Sequence, residues 1–582
     1  MNLKQLTFII LFFIALTGCH HSKDNNYKSL SAGQTVKPNT NYSVTDKSEK
    51  DYEKPHNTRV EYPYKELIPN LSPNVPTQLR PHSRLVLTDV EDRTFFDFFA
   101  WQTFVGLVWP ADSSYRGVPN RKIDSTDFAK YNTNDLENPN RVPVVWETFQ
   151  TFDSLFPVTK LNPDVEPQKW NATAYTRPFN LGSTSKGKSH EALDEAFSSP
   201  LIDQNRQYVL YNLQMNEVMY EFIRQNKWYL KENLPKSPTQ ASLPPLPVDS
   251  ETGKIISSTQ PQTNTIITQP VNGNSIEIKS AWRVMITEED SSKPWRKKDD
   301  LSRYFISKVD IQLEVTDTIT KKVTTEILKD QLVGLVGLHV VVKTPQFTQG
   351  LWSSFEHVDN IKTPKGSGLR PSFHNNTDSI YNQGFSYQPN NVIKIEDQRK
   401  PVEVSRIYKI PNTPLGTAEN LPDGLSTVGL NKTFQKLLKG TVWENYQLVI
   451  TQWPTDPTTF YAKPFLYPRA PAPGKNAVPS QKDAYDRAMQ NAKNAYPKWS
   501  GLPIPQVGAL NTVMETYFQN PNPSNGSRQP MENTSCMGCH YGASDMDYSW
   551  GLKLRTYPQP FNEGRIDPKN NPLLIDNLKP EK

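Results

Sequence analysis

Residues 276–284 read Ile276-Glu277-Ile278-Lys279-Ser280-Ala281-Trp282-Arg283-Val284. Ile276, Ile278, Ser280, Trp282 and Val284 occupy alternate positions, with mostly polar neighbours between them. A period of two predicts a strand with one face buried. Further strands fit Tyr304–Val315, Leu332–Lys343, Val402–Ile410 and Trp443–Trp453, so the middle of the chain is expected to form an antiparallel sheet. Ahead of it the period is helical. Phe95, Phe98, Phe99, Val105 and Val108 recur at helix spacing between Thr88 and Trp109, with Thr88 or Asp89 as a cap and Pro110 after the end. A short helix is predicted over Val144–Phe156. A longer one is predicted over Asn205–Trp228, its apolar stripe made by Val209, Leu213, Val218, Phe222 and Ile223. Beyond residue 454 prolines and short helices dominate. The expected class is therefore α+β: a helix-rich first part, an antiparallel β-rich middle and a loop-rich C-terminal segment.

Composition narrows the class further. Only 36% of the 582 residues are hydrophobic, yet aromatics reach 11% and prolines number 50. With a mean hydropathy of −0.65, this describes a loop-rich globular protein with an aromatic core and polar segments that bury little. Net charge is +5, and basic runs are mixed with acids, as in Lys293-Pro294-Trp295-Arg296-Lys297-Lys298-Asp299-Asp300. That is a solvated face rather than a nucleic-acid stripe. Residues 19–84 are polar, without periodicity, and are expected to be a disordered tether; 233–272 form a proline-rich linker or excursion. The rest, 85–582, is expected to be one integrated domain.

The first residues, MNLKQLTFIILFFIALTGC, carry one lysine, an apolar run from Phe8 to Leu16, and then Leu16-Thr17-Gly18-Cys19. The run is too short to span a membrane comfortably and has the shape of a signal-peptide core. Its end resembles a bacterial lipobox, which implies removal of residues 1–18 and lipidation of Cys19. More than one acyl chain anchors stably. The expected place is the cell envelope, on the periplasmic side or at the outer membrane, with the membrane reached through lipid.

Two motifs suggest chemistry. Gly182-Ser183-Thr184-Ser185-Lys186-Gly187-Lys188-Ser189 matches the Walker A pattern, but a phosphate loop must follow a buried strand. Here Tyr175-Thr176-Arg177-Pro178-Phe179-Asn180 is polar and broken by proline, so no nucleotide is expected. Near the other end stands Cys536-Met537-Gly538-Cys539-His540. Two thiols on one turn can each add to a haem vinyl group, and the following imidazole can reach the iron. A zinc site would need a fourth ligand; no third cysteine remains once Cys19 is lipidated, so a histidine elsewhere would have to supply it. A thioredoxin-like disulfide would sit between strand and helix, whereas the residues before Cys536 form a turn-rich, proline-containing loop. Covalent haem c, with His540 as proximal ligand, is the reading.

The sixth ligand is open. Met546 lies six residues past His540, a span of at most about 20 Å when extended. Met514 and Met531 lie upstream, His339 sits in an apolar strand, and His357 has acidic and aromatic neighbours. An empty distal position is a further possibility.

Several stretches together are familiar: Trp101-Gln102-Thr103-Phe104-Val105-Gly106-Leu107-Val108-Trp109-Pro110, Trp146-Glu147-Thr148-Phe149, Ala281-Trp282-Arg283, Gly337-Leu338-His339, Phe355-Glu356-His357-Val358-Asp359-Asn360, Thr451-Gln452-Trp453-Pro454 and Asn511-Thr512-Val513-Met514-Glu515-Thr516. Over roughly residues 85–550 the chain resembles large bacterial monohaem cytochrome c family lipoproteins, each with one C-terminal haem motif. The resemblance implies haem attachment at Cys536, Cys539 and His540, and no established reaction. Three functions follow: lipid-anchored electron transfer, a haem c-dependent oxidoreductase using Phe355-Glu356-His357 as a general base, or a haem-based sensor. Redox partner and substrate are not written in the sequence.

Overall fold

Helix α1, Arg93–Val108, is apolar around nearly its whole circumference, the pattern of a helix enclosed on all sides. Phe96, Trp101, Phe104, Leu107 and Val108 are each fully buried. Its single buried carboxylate, Asp97, accepts a hydrogen bond of 2.6 Å from the Thr427 hydroxyl. The computed structural model describes residues 71–76, 93–156, 166–170, 201–233, 274–376, 401–412, 426–453, 510–516 and 536–552, with short interruptions inside several of these ranges. All of them belong to one compact unit, Asn70–Lys582. The signal residues, Cys19, the tether apart from 71–76, the Gly182–Ser189 motif, nearly all of the proline-rich stretch 233–272, Met531 and Cys539 lie outside the described residues. Residues 71–76, expected to belong to the disordered tether, pack on the fold instead: Leu71 is buried and Asn74 Oδ1 accepts from Arg121 Nη1 at 2.6 Å.

The described residues form an α+β fold around a seven-stranded antiparallel sheet. Its strands are β1 (Gln150–Thr151), β2 (Val209–Met215), β3 (Ile276–Val284), β4 (Ile306–Thr316), β5 (Val323–Val342), β6 (Leu351–His357) and β7 (Tyr446–Gln452). The order is β1-β2-β3-β5-β6-β7, with β4 also paired to β5. Gly334 of β5 pairs with both Arg283 of β3 and Ile306 of β4, so β3 and β4 flank opposite edges of β5. β6 continues along the β4 edge, pairing with Gly337–Val342.

Alternation along paired strands assigns every side chain to one of two faces. The first carries Ile276 and Ile278, Leu338 and Val340, Phe355 and Leu448. It packs on α1 and on helix α3, Thr427–Leu437. The Phe104 ring stacks on Phe355 at 4.4 Å, and Trp101 meets Phe355 edge-on at 5.1 Å and stacks on Phe434 at 4.9 Å. The Trp101 indole N–H donates to Asn431 Oδ1 at 2.9 Å, so the buried aromatic leaves no orphaned donor. Each fully buried phenylalanine of this layer contributes about 1.5–3 kcal/mol.

The second face carries Glu277 and Lys279, Gly337, His339 and Val341, and Trp352, Ser354 and Glu356. Residues 510–516 lie across it. Asn511 donates to Ser354 Oγ (3.1 Å) and the Phe355 carbonyl (2.8 Å), and the Tyr211 hydroxyl donates to the Val513 carbonyl at 2.6 Å. Gly337 makes room for this crossing, because a Cβ there would stand 2.7 Å from Val513 Cγ2.

Three sequence expectations change. The predicted helix Asn205–Trp228 is strand β2 followed by helix α2, Glu217–Gln225. Asn216 breaks it with extended backbone and caps α2 by accepting from Met219 N at 3.2 Å. Val209 and Leu213, four apart, fit one face of a helix and equally one face of a strand. The helix expected over Val144–Phe156 is two single 3₁₀ turns, Trp146–Thr148 and Phe152–Ser154, separated by β1. Among the described residues Val402–Ile410 joins no sheet; Val402 and Val404 donate to the Ile202 and Phe373 carbonyls instead. Among the described residues no helix is long and apolar enough to cross a membrane.

Candidate functional site

The described part of the Cys-x-x-Cys-His motif lies against the second face. Cys536 and His540 are both helical residues four positions apart, so one turn places them on the same side. Cys536 packs on a buried cluster of Val341, Trp352 and Tyr548. The His540 ring lies with its centroid 4.2 Å from that of Trp352, and its Nδ1 is 2.6 Å from the Tyr548 carbonyl oxygen. With Nδ1–H donating to that carbonyl, the remaining nitrogen, Nε2, carries a free lone pair. Burial holds the His540 imidazolium down to about 3; Lys279, His339 and Lys343 push the same way, against the Tyr548 carbonyl. The ring is therefore neutral at physiological pH, the form that ligates metal. Burial, with Glu515 adding to it, raises the Cys536 thiol above its ordinary range.

The turn that presents this carbonyl is strained and strongly held. Asp547 and Tyr548 have φ of 51° and 65°, the left-handed region that side-chain-bearing residues seldom enter. Two such residues in succession cost about 1–2 kcal/mol each. Lys343 Nζ offsets this by reaching both the Asp547 carboxylate and its carbonyl at 3.0 Å. Ser549 Oγ donates to Glu277 Oε2 at 2.7 Å, and Tyr548 N to the Ala543 carbonyl at 2.9 Å. The sheet thus fixes the loop that fixes the imidazole, the over-determination expected where strain serves a site.

These residues fit a covalent haem: a thiol and an imidazole one turn apart, with the imidazole oriented by a backbone oxygen as ligating histidines are. Among the described residues no three His, Cys, Asp or Glu side chains converge as a metal set, so a zinc site on Cys536 and His540 has no further ligand there.

The distal candidates separate. His357 is brought to the opposite face, where its ring stacks on Tyr304 at 4.0 Å. Its Nε2 contacts the Arg303 carbonyl at 2.8 Å and its Nδ1 accepts from Asp359 N at 3.0 Å, so neither nitrogen is left to bind iron. Acidic and aromatic neighbours, which singled it out in the sequence, surround a core histidine that caps the turn Val358–Asn360. Met546 is buried with Phe152, Leu155 and Met219 in an apolar cluster. Met514 is fully buried beside Gly337. His339 shares the face of Trp352, with Nε2 at 3.0 Å from Glu515 Oε1. Its strand position was legible; its face was not.

The acid–base reading of Phe355-Glu356-His357 loses its groups. Glu356 is fully buried and accepts from Arg406, Gln447 and Thr512. A polar cleft of about 610 Å³ opens near Tyr304 and is lined by Arg283, Arg303 and Arg370, but by neither Glu356 nor His357. Arg283 and Arg303 are already paired with Asp299 and Asp359.

His357 also makes a testable electrostatic contribution. Burial lowers its pKa from 6.5 to about 4, against the opposing pull of Asp359. Between those values the unfolded chain binds a proton that the folded chain does not. Its contribution is therefore complete above pH 6.5 and falls by about 3 kcal/mol as pH drops to 4. Asp203, raised to about 6 by burial, and Glu217 and Glu403, each raised to about 7 by burial, slope oppositely. The expected result is a difference: His357→Gln loses less stability than the parent between pH 7 and pH 4.5, read from urea midpoints. Parallel profiles would remove this assignment.

Comparison with family models, with curated proteins and with solved structures gives no match.

Proposed function

We propose that this chain is a c-type cytochrome of the cell envelope, anchored by lipid on Cys19, that transfers electrons through one haem attached at Cys536 and Cys539. The observation carrying the proposal is His540, whose Nδ1 is tied to the Tyr548 carbonyl at 2.6 Å and whose Nε2 is left to coordinate. Bound haem would supply a one-electron couple. The chain's part is to orient the imidazole through the Asp547–Tyr548 turn and to shield it with Trp352, Val341 and Tyr548. The resemblance to the large monohaem cytochrome c family lipoproteins points the same way. Contacts of 510–516 and 547–549 with the sheet support a haem segment integrated into the large domain rather than a separable module. The burial of Glu356 and His357 favours electron transfer over an oxidoreductase built on those two residues.

Co-expression with a haem-maturation system gives the test. The parent protein is expected to stain for covalent haem on a denaturing gel, and Cys536→Ala/Cys539→Ala to show none. A parent chain that folds without stain would overturn the proposal. A ferrous spectrum unaffected by carbon monoxide supports electron transfer, whereas carbon monoxide binding would favour the oxidoreductase or sensor.

A further inference from the structure

The polar cleft beside Tyr304, about 610 Å³ in volume, falls within the size range of small-molecule sites. Its charged walls come from stretches that meet only in the fold: Arg283 at the end of β3, residues 298–303, Asp359 and Arg370. The Tyr304 ring stacks on His357, on the sheet face opposite the Cys536–His540 motif, so the haem reading makes no use of this cleft.

The carboxylates of the lining are committed within the protein. Asp299 Oδ1 accepts from Arg283 Nη2 at 2.6 Å, and its Oδ2 accepts from Ile286 N at 2.7 Å. Both oxygens of Asp359 take the Arg303 guanidinium. Asp300 Oδ1 accepts from Ser302 N at 3.1 Å and Ser302 Oγ at 2.6 Å, which leaves Oδ2 without a described partner.

The cations are not all matched. Arg370 donates from Nη1 to Asn205 Oδ1 at 2.6 Å and from Nη2 to the Gln204 and Trp295 carbonyls, each at 3.1 Å. These acceptors are neutral, so they fix the fork without neutralising it, and the Nε–H and one Nη1 hydrogen stay unspent. Burial, with Arg283 adding to it, lowers the Arg370 pKa in spite of Asp203, Asp299 and Glu289. Those acids therefore do not fully compensate its charge. Lys298 is exposed and has no ion-pair partner among the described residues.

What holds Arg370 is itself anchored. Asn205 is buried, its Nδ2 donating to the Lys297 carbonyl and its Oδ1 accepting from Lys297 N, both at 2.9 Å. Ser372 N donates to the Asp359 carbonyl and Gln204 N to the Ser372 carbonyl, both at 2.8 Å. A guanidinium fixed in this way needs little further ordering to meet a carboxylate with two parallel hydrogen bonds.

We infer that this cleft binds a small hydroxylated carboxylate, a sugar acid in chemical class, with its carboxylate on Arg370 and Lys298 and a hydroxyl donating to Asp300. A single carboxylate is favoured over phosphate or a polyanion, because Asp299, Asp300 and Asp359 stand in the same walls and repel further negative charge. The inference is independent of the haem reading.

Isothermal titration of the purified full chain with glucuronate at constant ionic strength is the test. Saturable binding is expected, with glucose and inorganic phosphate at least about tenfold weaker, the worth of one charge-assisted hydrogen bond. Arg370→Gln is expected to weaken glucuronate binding by about tenfold to a hundredfold, and Arg370→Lys by less, since it keeps the charge and loses the fork. Arg370 also ties down its own loop. Lys298→Gln is therefore the second variant, because the Lys298 side chain makes no described hydrogen bond; it is expected to lower affinity while the unfolding midpoint stays at the parent value. Absence of saturable glucuronate binding in the parent overturns the inference. So does an affinity that neither Arg370→Gln nor Lys298→Gln changes. Tighter binding of phosphate, or equal binding of glucose, overturns the carboxylate assignment. Haem staining of the same preparation is scored separately, so either reading can fall without the other.

Discussion

Replacing Arg283 by alanine is expected to lower the free energy of unfolding by about 3–5 kcal/mol, the cost of leaving a buried charge without its partner. The Arg283 side chain is 3% exposed and the Asp203 side chain fully buried. Its guanidinium donates from Nε to Asp203 Oδ2 at 2.9 Å, from Nη2 to Asp299 Oδ1 at 2.6 Å and from Nη1 to Ser372 Oγ at 3.0 Å. Three chain segments distant in sequence therefore meet at one side chain at the end of β3. Burial by itself would discharge the guanidinium, but Asp299 and Asp203 outweigh it and raise its pKa. Asp203 is the vulnerable partner of this arrangement: burial raises it to about 6 even with Arg283 beside it. Without the arginine it takes up a proton or draws in water. Arg283→Met/Asp203→Asn, which removes both charges and keeps volume, is expected to recover part of the loss, because a buried pair is worth little relative to apolar packing. Urea denaturation of the two variants measures both figures. A single-variant loss below about 1 kcal/mol would show that the network is solvated.

The fold was readable where one period excluded the other. Helix α1 has aromatic residues so dense, and Pro110 so placed, that only a buried helix satisfies them. β3 alternates from Ile276 to Lys279 and is a strand to Val284, as expected, although both faces are buried from Ser280 on. The sequence was ambiguous where apolar residues stood four apart. Val209 and Leu213 satisfy both periods, and only Asn216, a cap residue followed by Glu217, marked the junction of β2 with α2. Val402–Ile410 alternates like a strand, yet Val402 and Val404 spend their N–H groups on loop carbonyls. Strand pairing is a tertiary decision that local pattern does not contain.

The candidate site divides in the same way. Cys536 and His540 belong to a linear motif, whose spacing is the one the proposed thioether attachment requires. What orients them is not local. Tyr548 acts through its carbonyl, which any residue could supply, and the sequence signal for the turn is absent because Asp547 and Tyr548 are held at positive φ by Lys343, just past the end of β5. In one dimension His339, inside an apolar strand, and His357, with acidic and aromatic neighbours, were both ligand candidates. Register separates them: a residue's face depends on strand pairing and on the bulges between Ala281 and Trp282 and between Ser354 and Phe355. A one-residue slip of either strand would move its histidine to the other face.

Glu356→Ala is expected to act on stability and on the proposed haem site at once. The carboxylate is fully buried on the face that bears the motif. It pairs with Arg406, whose side chain is 10% exposed, and accepts from Gln447 Nε2 at 3.0 Å. It also accepts from Thr512 N at 3.1 Å and Thr512 Oγ1 at 2.7 Å, and Arg406 in turn donates to the Leu510 carbonyl at 3.0 Å. This is the clamp that holds 510–516, the last described segment before the motif, onto β6. Alanine leaves a nearly buried guanidinium without its carboxylate, only the Leu510 carbonyl remaining to it, and the Thr512 N–H without its acceptor, so the expected loss is about 3–5 kcal/mol. Glu356→Gln keeps the shape and one acceptor oxygen and is expected to lose less. The functional consequence follows from Trp352, which lies four residues along the same strand and packs on His540. Once 510–516 lifts, Glu515 leaves His339 and the face is open to solvent. With haem at the proposed site, covalent haem should persist on a denaturing gel while the native protein's reduction potential shifts with solvent exposure and the chain becomes sensitive to proteolysis near residue 510. If Glu356→Ala keeps the parent's unfolding midpoint and reduction potential, the remaining contacts of 510–516 hold it and the clamp is dispensable.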